Sequence, residues 1–243
     1  FELARRNMSE ALTEVLRNPE ATRLARLHAI WGIGQISRRT PAVLKSLNSA
    51  WKSEDPEIVA QCAKIAGDVP GHLPGIAGLR KHLLTALSHK SLRVQFFAAI
   101  SLGKHKVEEA TPELINLLAT AGSQDPYLRH AGMMGLKGAL SPGRLADLHD
   151  HESRTVRLSA IVALRNLHAP EITAFLEDKD ELILLEAARA IHDDQSIPEA
   201  LPALSQLLGR PGLTNEALMR RVINAAFRVG TYPALLQLEG YLK

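Results

Sequence analysis

Four groups of residues in this 243-residue sequence have types and spacings that could do chemistry. His149-Asp150-His151, flanked by Asp147 and Glu152, offers the imidazole and carboxylate ligands that hold zinc or a first-row transition metal. Cys62, with His72 and His82 in the same stretch, would be a nucleophile if a base stood within hydrogen-bond reach in an accessible, electropositive setting. The carboxylate pairs Glu177/Asp178 and Asp180/Glu181 suit acid–base work or a cation. Arg5-Arg6, Arg38-Arg39 and Arg220-Arg221, with Arg228, would neutralise phosphates if they formed a basic groove faced by aromatic side chains.

For each group a structural explanation weighs more. The His149–His151 cluster falls where one helix ends and a loop begins, which splays its side chains, and position 151 matches the polar loop residue before other helices. Cys62 occupies a small-residue packing position, where free thiols are usually buried. Acids at 177–181 sit at a turn and in a helix's first turn, where the helix dipole favours them. The basic pairs are scattered, and Trp31, Trp51 and Tyr127 are too few to line a groove. Gly132, Gly135 and Gly138 lie within a helix and lack the lysine of a phosphate loop; their spacing of three suggests close helix packing. No Ser/His/Asp motif is recognisable. The sequence therefore assigns no catalytic, cofactor-binding or metal residues, expects no cofactor, and predicts a protein that is not an enzyme.

The elements that carry these residues repeat. In Val156–Asn166 an Arg is followed three residues later by a small residue and four after that by an aliphatic one: Arg157, Ala160, Leu164. Such residues share one helix face. The pattern recurs at Arg26/Ala29/Ile33 and Arg129/Gly132/Leu136, more loosely at Gln95/Ala98/Leu102, and in degenerate form at Val59/Cys62/Ala66, Leu184/Ala187/Ile191 and Arg220/Ile223/Phe227. The first positions are 33, 36, 34, 28, 27 and 36 residues apart. That period marks an array of helix pairs, each burying its apolar stripe on its neighbours. Arg26, Arg129 and Arg157 are costly to bury alone, so they are expected to meet acids or carbonyls of adjacent repeats.

The fold class that follows is all-α: a right-handed superhelix of about seven helix pairs with a leading half-repeat. Residues 1–243 read as one domain, with a leading helix over 2–17 (segment 1–18) and pairs at 19–53, 55–88, 91–120, 125–149, 153–177, 180–208 and 215–243. Asp55-Pro56 and Asp125-Pro126 mark helix starts, Thr111-Pro112 a further cap, and the Gly/Pro-rich stretch 67–75 a loop. No stretch alternates with period two long enough for a strand.

Composition narrows the classes. The net charge of +3 is too mild to imply a polyanion. Residues 171–200 carry nine acids against Lys179 and Arg189, a net of −7, so the remainder is +10; a patterned surface follows rather than a basic track. One cysteine excludes a disulfide framework and a CxxCH haem site. The longest uncharged runs are eleven residues, short of a membrane span. A start at Phe1 with no signal-like segment reads as a piece of a longer protein.

The period, the Asp-Pro starts and the Arg/small/aliphatic face resemble HEAT repeats over residues 19–243; Asp125, Pro126, Leu128, Arg129, Gly132 and Leu136 match the first-helix pattern, and Thr111–Leu118 the second. A narrower resemblance rests on Arg26–Gln35, RLHAIWGIGQ, similar to the HEAT region of large planctomycete and verrucomicrobial haem-binding, dehydrogenase-like proteins. That likeness implies a propeller before the array, a CxxCH cytochrome segment after it, and a periplasmic or exported setting; the compartment is otherwise unread. The sequence thus predicts a non-enzymatic scaffold for protein–protein interaction or domain spacing. Its partner protein would bind a concave face lined by second helices such as 41–53, 111–120 and 198–208, steered by the 171–200 patch. The alternatives are a nucleic-acid-binding array of the DNA-glycosylase-like kind, or a structural module of a haem redox enzyme.

Overall fold

The computed structural model describes residues 2–69, 78–193 and 196–242. Every regular element among them is helical. They form two compact units, Phe1–Ala139 and Leu140–Lys243. The first unit contains α1 (Glu2–Arg5), α2 (Ser9–Arg17), α3 (Arg23–Ser37), α4 (Pro56–Gly67), α5 (Leu79–Leu87), α6 (Leu92–Lys104), α7 (Thr111–Ala119) and α8 (Pro126–Ala139). The second contains α9 (Pro142–Ala146), α10 (Arg154–Asn166), α11 (Glu181–His192), α12 (Leu201–Gln206), α13 (Glu216–Val229) and α14 (Tyr232–Leu242). Among the described residues no helix is long and apolar enough to cross a membrane.

The first helix of each pair forms where the local chemistry asks for it. Asp55 caps α4 by accepting from Glu57 N at 2.9 Å, with Pro56 at the first position. Asp125 accepts from Tyr127 N at 2.8 Å and Leu128 N at 3.1 Å at the start of α8. The signature's small and aliphatic positions are buried: Ala29/Ile33, Cys62/Ala66, Ala98/Leu102, Ala160/Leu164 and Ala187/Ile191. The three helix glycines are contact points within the first unit. A Cβ on Gly138 would lie 2.0 Å from the Gly103 carbonyl oxygen, one on Gly135 2.6 Å from Leu114 Cδ2, and one on Gly132 2.7 Å from Leu118 Cγ.

Several expectations need correction. The leading helix is broken: Asn7 takes a left-handed conformation, φ 59°, which Asn tolerates better than most residues, and it ends α1 before α2 starts. Thr111 is no cap; it is the first residue of α7, donating its hydroxyl to Glu108 O at 2.6 Å, and a short 3₁₀ turn over Glu108–Ala110 leads straight in. Two second helices are 3₁₀ rather than α: Pro41–Leu47 with Ala50–Lys52, and Pro170–Glu177. Their buried residues recur every three (Leu44, Leu47, Ala50; Ala169, Ile172, Phe175), the period of a 3₁₀ turn. In the last repeat the packing register is Met219/Val222/Ala226. Val222 and Ala226 are buried while Arg220 and Phe227 face solvent, so the expected triplet is displaced by one residue. Most of the loop expected over 67–75 lies outside the described residues, although Gly67 itself ends α4.

Candidate functional site

In the second unit the expected metal cluster and the expected carboxylate pairs come to one place. His149, Asp150, Arg154, Arg157 and residues 177–181 line an open cleft of about 840 Å³. Its centre is Arg157, the signature arginine. Nε lies 2.8 Å from Asp178 Oδ2, an ionic contact rather than an aligned hydrogen bond, and Nη2 lies 3.6 Å from Asp180 Oδ2. Nη1 donates to the carbonyls of His151 at 2.6 Å and Glu152 at 3.2 Å. The side chains of Arg157 and Asp178 are only 14% and 9% exposed. Arg154, the first residue of α10, donates to Asp180 Oδ2 at 2.5 Å, and Asp180 Oδ1 accepts from Leu182 N at 3.1 Å as the cap of α11.

Burial pushes the Asp180 carboxyl up, but the bonds from Arg154 and Leu182 N and the charge of Arg157 outweigh it and hold it below the ordinary carboxylate range. It stays ionised at neutral pH and has no proton to give. Asp178 and Asp180 are therefore internal counterions. The acids of this turn that face solvent are Glu177 and Glu181.

The histidine motif resolves into turn chemistry. His151 Nδ1 accepts from Ser153 N at 3.0 Å, two residues ahead. His89 does the same for Ser91 N at 3.0 Å, Ser53 Oγ for Asp55 N at 3.2 Å, and Asp178 Oδ1 for Asp180 N at 2.7 Å. In each case the acceptor stands three residues before the first residue of a helix and takes the N–H of the cap residue, which has no helical partner. His149 Nδ1 meets Ala146 O at 3.1 Å. Among the described residues no three His, Cys, Asp or Glu side chains converge as metal ligands.

The signature's first position has a related job. Arg157 reaches the carbonyl six residues back, Gln95 Nε2 donates to His89 O at 2.7 Å, again six back, and Arg129 Nη1 to Gly122 O at 3.2 Å, seven back. These side chains staple the turn before their own helix. The expectation that they bridge to neighbouring repeats holds for Arg157 through Asp178. At Arg26 the buried Nε has no hydrogen-bond partner among the described residues. Sequence reasoning missed a second device: the first residue of one helix pairs with the Asp cap of the next first helix. Arg23 Nε lies 2.8 Å from Asp55 Oδ2, as Arg154 does from Asp180 at 2.5 Å. The available signal was an Arg opening one helix and an Asp capping the next.

The other candidates disperse. Cys62 is fully buried, and burial pushes its thiol well up, away from the reactive thiolate. His82 stacks on Trp51 at 5.2 Å, and His72 lies outside the described residues. Trp31 Nε1 donates to Gln61 Oε1 at 2.9 Å. Arg5 and Arg6 pair with Glu2 at 2.6 Å, Arg220 with Glu216 at 2.5 Å, and Arg221 holds Asp193 through two bonds of 2.9 and 2.6 Å.

No protein-family model matches this chain, and no curated protein matches it. Solved structures do. The complex of CpcE and CpcF of phycocyanin lyase from Nostoc sp. PCC7120 is similar at TM-score 0.50 and 20% identity, over 89% of this chain and 92% of that one. Human deoxyhypusine hydroxylase matches at TM-score 0.41 and 16% identity, over 99% of this chain and 92% of that one. An engineered protein matches at 0.44 and 16%, over 96% and 71%. The first of these shows the fold: an all-helical, HEAT-like array. It also overturns the expectation that the chain is not an enzyme. A phycocyanin lyase is built on this fold, so an array without a familiar catalytic motif is no argument against catalysis.

Proposed function

We propose that this chain is a protein-binding helical-repeat module. The observation that carries the reading is the state of its cations. Of the arginines that could have gripped a polyanion, Arg5, Arg6, Arg220 and Arg221 pair with acids, as do Arg23, Arg93 and Arg154, while Arg228 bonds the His192 carbonyl and Ser196 and Arg38 and Arg39 are exposed at the end of α3. A cation already paired with an acid neutralises a phosphate less well, so fewer of the nucleic acid's condensed counterions are released and affinity falls. The second segments instead expose uncharged polar groups, such as Asn48, Asn116 and Gln206, suited to hydrogen-bonding an extended polypeptide. Within each unit those segments are the proposed docking surface, with Glu177 and Glu181 adding local steering in the second unit.

The test pairs two measurements on the whole chain. Fluorescence anisotropy with a labelled DNA duplex at low salt is expected to show no salt-dependent binding. Partner capture from the native source is expected to be lost in Asn116→Arg or Gln206→Arg and kept in Val162→Arg, on the exposed face of α10. Duplex binding whose affinity falls steeply with salt would instead establish the nucleic-acid reading. A second reading, that the array is a structural module of a haem-containing redox protein, is favoured by Arg26–Gln35 alone. A pyridine haemochrome spectrum of the full-length native protein tests it: a c-type band supports it, and its absence removes it.

A further inference from the structure

We infer that the first unit binds a small oxyanion, a phosphate or a carboxylate, between Arg26 and Ser53. Each unit builds the same arrangement of four side chains. In the second, Arg154 and Arg157 are the first and fourth residues of α10, Asp180 caps α11, and Asp178 stands two residues before that cap. In the first, Arg23 and Arg26 are the first and fourth residues of α3, Asp55 caps α4, and Ser53 stands two residues before it. The bonds correspond as well. Arg23 Nε lies 2.8 Å from Asp55 Oδ2, as Arg154 Nε lies 2.5 Å from Asp180 Oδ2. Ser53 Oγ accepts from Asp55 N at 3.2 Å, as Asp178 Oδ1 accepts from Asp180 N at 2.7 Å.

The two arrangements differ by one acid. The second sets two arginines against two aspartates, whereas the first sets two arginines against Asp55 and a neutral hydroxyl. Asp178 lies 2.8 Å from the buried Nε of Arg157. The equally buried Nε of Arg26 has no hydrogen-bond partner, and Arg26 makes no ion pair among the described residues. Its counterparts at the signature's first position, Gln95, Arg129 and Arg157, all have side-chain bonds. Burial raises the Cys62 thiol and the charge of Arg26 acts against it, which puts the guanidinium on the side of α4, the helix that Asp55 caps. A cation taken out of water without a counterion is costly. An oxyanion beside Ser53 supplies Arg26 with the charge that Asp178 supplies to Arg157. The Ser53 hydroxyl accepts from Asp55 N and keeps its own hydrogen to donate to that ligand. Arg26 and Ser53 are both partly exposed, so a small ion can reach them.

Thermal melting of the 243-residue chain reads the outcome, with inorganic phosphate or acetate raised to about 20 mM against chloride at constant ionic strength and neutral pH. A ligand that binds only the folded state raises the melting temperature, here by about 2–4 °C. The larger shift, with phosphate or with acetate, names the oxyanion. Phosphate also stabilises proteins in general by exclusion from their surface, so two variants separate the site from that effect. Ser53→Asp puts a carboxylate where Asp178 stands in the second unit. It is expected to melt higher than the unsubstituted chain without added anion, and to lose the response to anion. Arg26→Gln keeps Ser53 and is expected to lose the response as well. An unsubstituted chain with no anion-dependent shift, or a shift of the same size in both variants, overturns the inference.

Discussion

Arg157 shows how a residue with chemical potential becomes structural. Its guanidinium is nearly buried and touches two carboxylates and two loop carbonyls. Removing one partner from a buried ion pair leaves the other charge uncompensated, at a cost of about 3 kcal/mol or more. Arg157→Ala is therefore expected to lower the melting temperature by several degrees, read by circular dichroism. Arg157→Lys should recover little, since one ammonium cannot replace the fork that holds acid and carbonyl together. Acid will act on the same groups. Asp180 is held below its ordinary value, as is Asp193, which Arg221 stabilises against the opposing effect of burial. A carboxyl depressed in the folded state adds stability above its unfolded pKa and loses it as pH falls through the folded value. Melting temperature should be flat from neutrality to about pH 5 and fall below about pH 4, the unfolded carboxylate range. The position of Arg157 in the repeat was legible from its spacing. Its partners were not, because Asp178 is 21 residues away in sequence and only packing brings the two together.

At the scale of elements, the first helices were readable because Asp-Pro starts and a 3.6-residue period are both local. The second segments were misread where their buried residues recur every three, a spacing that fits one face of a short α-helix and a 3₁₀ turn alike. The glycines of α8 were readable as packing but not as to their partner. That partner is α6: Gly138 meets the Gly103 carbonyl, and a Cβ on Gly103 would lie 2.5 Å from Met134 O. An alanine at 138 gains up to about 1 kcal/mol in helix propensity. It must also push two backbones apart, and neither has a flexible side chain to yield. Overpacking typically costs about 1–3 kcal/mol, and against backbone atoms that cannot yield the upper end applies, so the clash wins. Gly138→Ala is expected to destabilise the chain in urea denaturation. Gly143→Ala in α9, where a Cβ meets nothing within 4 Å, is expected to be neutral or slightly stabilising. Equal effects from the two would remove the close approach of α6 and α8 as the cause.

For the whole molecule, the repeat and the contact density make different demands. The signature runs through the chain without a break, from Arg129 in α8 to Arg157 in α10, yet the contacts gather into Phe1–Ala139 and Leu140–Lys243. In a stacked array each repeat is held mainly by its nearest neighbours, so the chain melts as one body only where every junction is about as strong as the repeats it joins. We propose that residues 1–243 behave as one cooperative domain, because the repeat signature continues across residue 139 with an ordinary spacing, 28 residues from Arg129 to Arg157. Differential scanning calorimetry decides the matter. One domain gives a single endotherm with equal calorimetric and van't Hoff enthalpies. Arg157→Ala would then lower that one transition as a whole, although it lies in the second unit. If the junction at 139/140 is the weak link, two endotherms appear. Arg157→Ala would shift one of them, Gly138→Ala the other, and the chain would be two arrays rather than one.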